Sequence, residues 1–170
     1  MITIEPSLGF TLSTSALTRF LNRARPAIGL GGEIDVLLSN DQTLRHLNKI
    51  FRGKNKTTDV LSFPAPSEFA ANHAGDLAIS LETAARQAHS YGHTLGDEVK
   101  ILILHGLLHL SGEDHERDNG EMAAREAMLR RELRLPVTLI ERNMRPAIKR
   151  PSGSKQKPAS RRTGKKRGSR

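Results

Sequence analysis

Hydrophobic and polar positions along this chain repeat with two different periods, and each change of period marks an element. "ITI" at residues 2–4 alternates and is read as a short first strand. Over residues 12–27, Leu17, Phe20 and Leu21 recur at helical spacing, which predicts an amphipathic helix capped by Thr11 or Ser13. "EIDVLLS", residues 33–39, is a strand bounded by Gly31-Gly32 and Asn40-Asp41. "NDQTLRHLNKIF" forms the next helix, with Leu44, Leu47 and Ile50 facing inward. Two strands follow, "DVLSFP" (59–64) and "GDLAIS" (75–80), joined by a loop containing two prolines. Ser80 caps a helix running to about Ser90, Tyr91-Gly92 breaks it, and residues 97–110 make a second helix. Residues 118–135 make a last, highly charged helix stopped by Pro136, and no internal repeat is visible.

Strand, helix, strand, helix, two strands and then helices predict an α+β fold, a small mixed β-sheet packed with helices. A length of 170 residues suits about one domain, placed at residues 1–144. Residues 145–170 are Pro, Gly, Ser, Lys and Arg with scarcely an apolar side chain, and are expected to be a disordered basic tail.

Charge sharpens that division. The net +9 is carried by the end of the chain, where residues 142–170 hold 12 Lys or Arg and no acid. The remaining 141 residues hold 15 basic and 18 acidic side chains, a net of −3. A tail so charged, on an acidic core, is expected to act as an electrostatic tether to RNA. With no cysteine, disulfides and thiolate metal sites are excluded, so any zinc must be held by His and carboxylates. The first residues have no basic flank leading into an apolar run, and the longest such run, 101–104, is far too short for a bilayer. A cytoplasmic protein without membrane contact is therefore expected.

The chemistry is concentrated in "HGLLHLSGEDH", residues 105–115. His105 and His109 lie at i and i+4 and project from one face of a helix that is apolar nearly all round. Gly112 can take the left-handed conformation that ends the helix, returning His115 toward the same face. Three neutral imidazoles would hold one Zn²⁺ and leave its fourth position open, as catalytic sites do. Asp114 is adjacent to His115 and suits a supporting role behind a ligand better than a fourth ligand. The order matches the H-E-x-x-H-x-x-G-x-x-H signature of a protease clan except that Gly106 stands where the general base belongs. Without that base, peptide hydrolysis is disfavoured. A zinc ion can still lower the pKa of water to about 7. Phosphodiester cleavage would also need a cation aimed at the cleft. Arg52, in "FRGKNK" where Gly53 and Asn55 favour a turn, is the candidate, since its fork matches two phosphate oxygens.

"HGLLHLSGEDH", together with "FRGKNKTTDVLSFP" and "AGDLAIS", resembles the YbeY family of bacterial endoribonucleases over about residues 33–135. The family pattern H-G-x-L-H-L-x-G-x-D-H is met at His105, Gly106, Leu108, His109, Leu110, Gly112, Asp114 and His115. The resemblance implies an α+β fold with zinc on three His and single-strand-specific RNA cleavage. It also implies maturation of the 16S ribosomal RNA 3′ end and ribosome quality control, with ribosomal RNA and the small subunit as partners. It places Arg52 on the family's functional arginine. Position 113, often aromatic or His in the family, is Glu here, and the basic tail is not part of the pattern.

The expected site is therefore His105, His109 and His115 on one zinc ion, with Arg52 and His105 catalytic. Arg52, Lys54 and Lys56 face substrate, and Asp114 stands behind a ligand. No small-molecule cofactor is expected. Thr58 and Asp59 have turn chemistry as their simplest explanation. His46 and His89 are placed on helix surfaces and His73 and His93 before turns, none on the metal. The alternatives are a metalloprotease-like zinc hydrolase, opposed by Gly106, and a non-catalytic ribosome-associated RNA adaptor, supported by the tail.

Overall fold

The computed structural model describes residues 1–69, 71–113 and 118–136. Asp114, His115 and the tail at 145–170 lie outside them.

The elements run β1 (Ile2–Ile4), α1 (Thr14–Ile28), β2 (Glu33–Ser39), α2 (Asp41–Arg52), β3 (Val60–Pro64), β4 (His73–Ser80), α3 (Leu81–Tyr91), α4 (Leu95–Leu110) and α5 (Glu121–Leu133). The sheet order is β1-β2-β4-β3. β1, β2 and β4 are parallel, while β3 pairs antiparallel with β4 and forms one edge. The sheet is mixed and α+β, as the order of periods predicts.

Local sequence sets the boundaries. Ser13, Asn40, Ser80 and Thr94 each accept a hydrogen bond from a backbone N–H in the first turn of the helix that follows, satisfying a donor the helix itself cannot. α5 begins later than expected, because Gly120 precedes it and Asp118 instead accepts from the N–H groups of Gly120 and Met122. β4 begins earlier, so His73 is a strand residue and precedes no turn.

Alternation along β2 and β4 divides the sheet's two faces. Ile34, Val36, Leu38, Leu77 and Ile79 enter the main core with α1, α3, α4 and α5. Leu61, Ala78 and Leu44 of α2 make a smaller cluster on the opposite face, with Leu47 and Phe63 against it. α4 is the central member of the core, buried at every position from Ile101 to Leu108. Each of its buried leucines and isoleucines contributes about 2 kcal/mol of hydrophobic stabilisation. Ile50, expected to face inward from α2, is 59% exposed, and Asn48 is buried in its place. The Asn48 amide donates to the Lys56 carbonyl at 2.8 Å and ties down the loop after the helix. Among the described residues no helix is long and apolar enough to cross a membrane.

Candidate active site

α4 lies so close to the sheet that one of its positions has no room for a side chain. A Cβ on Gly106 would come within 2.7 Å of Leu77 Cδ2 and 3.3 Å of Ser62 Oγ. The Ser62 hydroxyl donates to the Gly106 carbonyl at 3.2 Å, which pins the helix to β3. A side chain at position 106 would therefore force the buried Leu77 methyls to shift.

The neighbouring histidines are aimed by their Nδ1 atoms. His105, 6% exposed, places Nδ1 3.0 Å from the Glu126 carboxylate of α5. His109, partly exposed, places Nδ1 2.9 Å from the Glu113 carbonyl. A carbonyl and a carboxylate only accept, so both rings turn a protonated Nδ1 toward the protein and aim Nε2 at each other. The two Nε2 atoms lie 3.1 Å apart. Ring nitrogens at that distance can share one proton or one metal ion. Two imidazole nitrogens on one tetrahedral zinc, each at about 2.0–2.1 Å, would sit roughly 3.3 Å apart. The donor set therefore fits a metal, and Glu126 and the Glu113 carbonyl hold the ligand rings as supporting groups do. His115, expected as third ligand, lies outside the described residues, as does Asp114.

Glu126 was not anticipated. It is fully buried and its other oxygen is 3.4 Å from Arg130 Nη1. The signal was present: Met122, Glu126, Leu129, Arg130 and Leu133 are the buried positions of α5, so an i,i+4 Glu–Arg pair sits within its apolar stripe. The charge of Glu113, where the family often has an aromatic or His, is met by an ion pair with Arg125. Arg125 also donates to the Ile28 carbonyl at 2.6 Å. Gly112 has φ +93, the left-handed conformation expected at the helix end.

A second group capable of holding a metal is formed by Asp35, His73 and Asp76, whose ligand atoms lie within 4.8 Å of one another. Asp35 and Asp76 are register partners on the sheet face opposite α4. Both carboxylates are exposed, and Asp35 already binds the Met1 ammonium at 2.5 Å. The α4 histidines could also hold a metal ion: His105 is buried, His109 is partly exposed, and both rings are oriented through Nδ1.

Residues 10–134 match the family described as Endoribonuclease YbeY. The chain belongs to the YbeY endoribonuclease family. It is 52% identical over 138 residues to the Endoribonuclease YbeY of Koribacter versatilis, covering 81% of this chain and 89% of that one. The Solibacter usitatus Endoribonuclease YbeY is 48% identical, over 78% of this chain and 87% of that one. A Thermotoga maritima protein of known solution structure matches with a TM-score of 0.53 at 25% identity, covering 91% of this chain and all of the other.

In this YbeY-family chain Arg52 is the last residue of α2, followed by Gly53 in a left-handed turn. It is exposed, and its guanidinium makes no hydrogen bond or ion pair with any described residue. Lys54 and Lys56 are exposed on the same loop. Asp59 does have turn chemistry, accepting from the Val60 N–H at 2.9 Å, and its other oxygen accepts from Gln87. Thr58 donates weakly to Asp59. His46 and His89 are exposed as expected. His93 instead contacts the buried Glu98 carboxylate near the start of α4.

Proposed function

We propose that this protein is a zinc-dependent endoribonuclease that cuts single-stranded RNA, in the maturation of the 16S ribosomal RNA 3′ end and in ribosome quality control. The observation that carries the reading is the pair of imidazole Nε2 atoms converging to 3.1 Å, each ring oriented through its Nδ1, in a chain whose relatives are named endoribonucleases.

His105 and His109 would hold the ion, with His115 completing the set. Bound there, zinc supplies Lewis acidity toward a phosphoryl oxygen and acidifies water. Glu126 keeps the His105 proton on Nδ1, and the Glu113 carbonyl does the same for His109. Arg52 and its lysine neighbours meet the phosphates, Arg52 placing two donors on the scissile group as its charge grows. Gly106 offers no base, which argues against peptide hydrolysis by the same ligands. The expected partners are ribosomal RNA and the small subunit in the cytoplasm, and the basic tail would serve as the tether.

The test offers zinc-loaded protein a single-stranded RNA, its duplex and casein. Cutting of the single strand alone, lost with chelator and restored by zinc, is expected. Undiminished cutting by metal-free protein, or a full zinc equivalent retained by His109→Ala, would overturn the reading. Mapping ribosomal RNA ends in depleted cells tests the 16S assignment separately.

A further inference from the structure

The end of α2 exposes what a soluble helix normally buries. Ile50 is 59% and Phe51 63% exposed, side by side on the last turn. The Phe51 ring is nonetheless held in place. It meets Phe63 edge to face, with centroids 5.0 Å apart and planes at 66°, and Phe63 packs on the Leu44, Leu61 and Ala78 cluster. Phe51 is a braced aromatic surface with solvent access.

Its surroundings are cationic. From Gln42 to Thr58 there are five Lys or Arg and no acid. Arg52, Lys54 and Lys56 follow Phe51 directly and are exposed. The flanking acids are already engaged, Asp41 by Arg86, Ser80 and Thr83, and Asp59 by Val60 and Gln87. This positive stretch belongs to residues 1–141, whose net charge is −3. A polyanion that also carries flat apolar faces fits both features, and single-stranded RNA is such a ligand: its phosphates seek cations and its unstacked bases seek rings. A duplex hides its base faces and cannot use Phe51.

The position also suits the site. On β3, Phe63 turns toward Phe51 while the preceding Ser62 turns toward Gly106, next to His105. The aromatic surface and the histidine pair thus lie on the two sides of one edge strand.

We propose that Phe51, braced by Phe63 and flanked by Ile50, is a base-stacking platform that holds a nucleotide of single-stranded RNA, with Lys54 and Lys56 of the following loop on neighbouring phosphates. The proposal rests on the endoribonuclease reading for its ligand, and binding is measured without cleavage so that the two can fail separately. It explains single-strand selectivity through the protein surface, before any bond is cut.

The experiment measures anisotropy of zinc-loaded protein with a labelled single-stranded oligoribonucleotide and an abasic oligonucleotide of equal length and charge. The parent should prefer the base-bearing strand. Phe51→Ala should lose roughly 5- to 150-fold in affinity for it, the range expected for one stacked base, and none for the abasic strand. Phe51→Tyr should bind as the parent does, while Phe51→Leu, apolar but without a ring face, should resemble alanine. Lys54→Ala should weaken both strands alike and lower the salt slope by about 0.7. Circular dichroism checks the fold, and Phe51→Leu serves if the alanine variant unfolds. Equal affinity of the parent for both strands, or unchanged preference in both Phe51→Ala and Phe51→Leu, overturns the platform. A platform confirmed by binding in a protein that cuts no RNA would overturn the nuclease reading alone.

Discussion

The α4 side of the site and the α2 side are built by opposite rules. On α4, Gly106 has no free space, His105 is buried, and each ring nitrogen that faces the protein has a partner. On α2, Phe51 and Arg52 stand in solvent, and the Arg52 guanidinium has no bond to any described residue. A metal's ligands must be fixed before the ion arrives, because their alignment sets its affinity. A flexible polyanion is met by groups left unspent until it binds. Rigidity and availability are thus assigned to two helices on opposite faces of one sheet.

Substitutions test that division, and the largest effect is expected at Gly106. Gly106→Glu forces atoms into Leu77 and buries a carboxylate, so it should cost more than about 3 kcal/mol. It should also leave no casein cleavage. Urea unfolding at parental stability would show that the helix–sheet contact is not as tight as 2.7 Å implies.

Glu126→Ala comes next. It leaves His105 without its acceptor and the buried Arg130 without a nearby carboxylate. A loss of roughly 3 kcal/mol and a 10- to 100-fold weaker metal affinity in chelator competition are expected. Glu126→Gln should recover most of the stability and less of the metal affinity. Arg52→Ala should do the reverse of Glu126→Ala: stability within about 0.5 kcal/mol of the parent, unchanged metal content, and cleavage down about 100-fold. If Arg52→Ala released metal, the separation of the two sides would collapse.

The smallest effect concerns the start of α2, which Asp41 ties to Ser80 and α3. Burial alone would raise the Asp41 pKa, but hydrogen bonds from Ser80, Thr83 and Arg86, with the Arg86 charge, outweigh it and hold it below 3.8. A depressed carboxylate stabilises the fold above its unfolded pKa and loses that contribution as pH falls through the folded value. Asp41→Asn should therefore cost about 1 kcal/mol near neutrality and flatten the fall in stability below about pH 4. A variant with the parent's acid profile would remove Asp41 from the account.

Much of the α4 side was legible because its signals are periodic. The buried run of residues 101–108, the i and i+4 histidines and the glycine after them each follow from spacing. The sheet was legible for the same reason. Glu126 was harder, since the charged composition of α5 masks the one stripe in which a carboxylate occupies a core position. Ile50 failed for a different reason. Its helix has Leu44 and Leu47 on the same side, and spacing alone extends the apolar face one turn further. The loop after α2 instead turns back, and its Lys56 carbonyl takes the Asn48 amide, making Asn48 the inward group. That choice depends on where the chain goes next, which periodicity within the helix does not record.

The Leu77–Gly106 contact also limits how such a motif can change over time. A glutamate at position 106 has to wait until the residue beneath it has shrunk, yet shrinking Leu77 first opens a hole under a helix that is otherwise close-packed. Each single step is expected to cost stability, so the sizes of the residues at 77 and 106 should constrain each other.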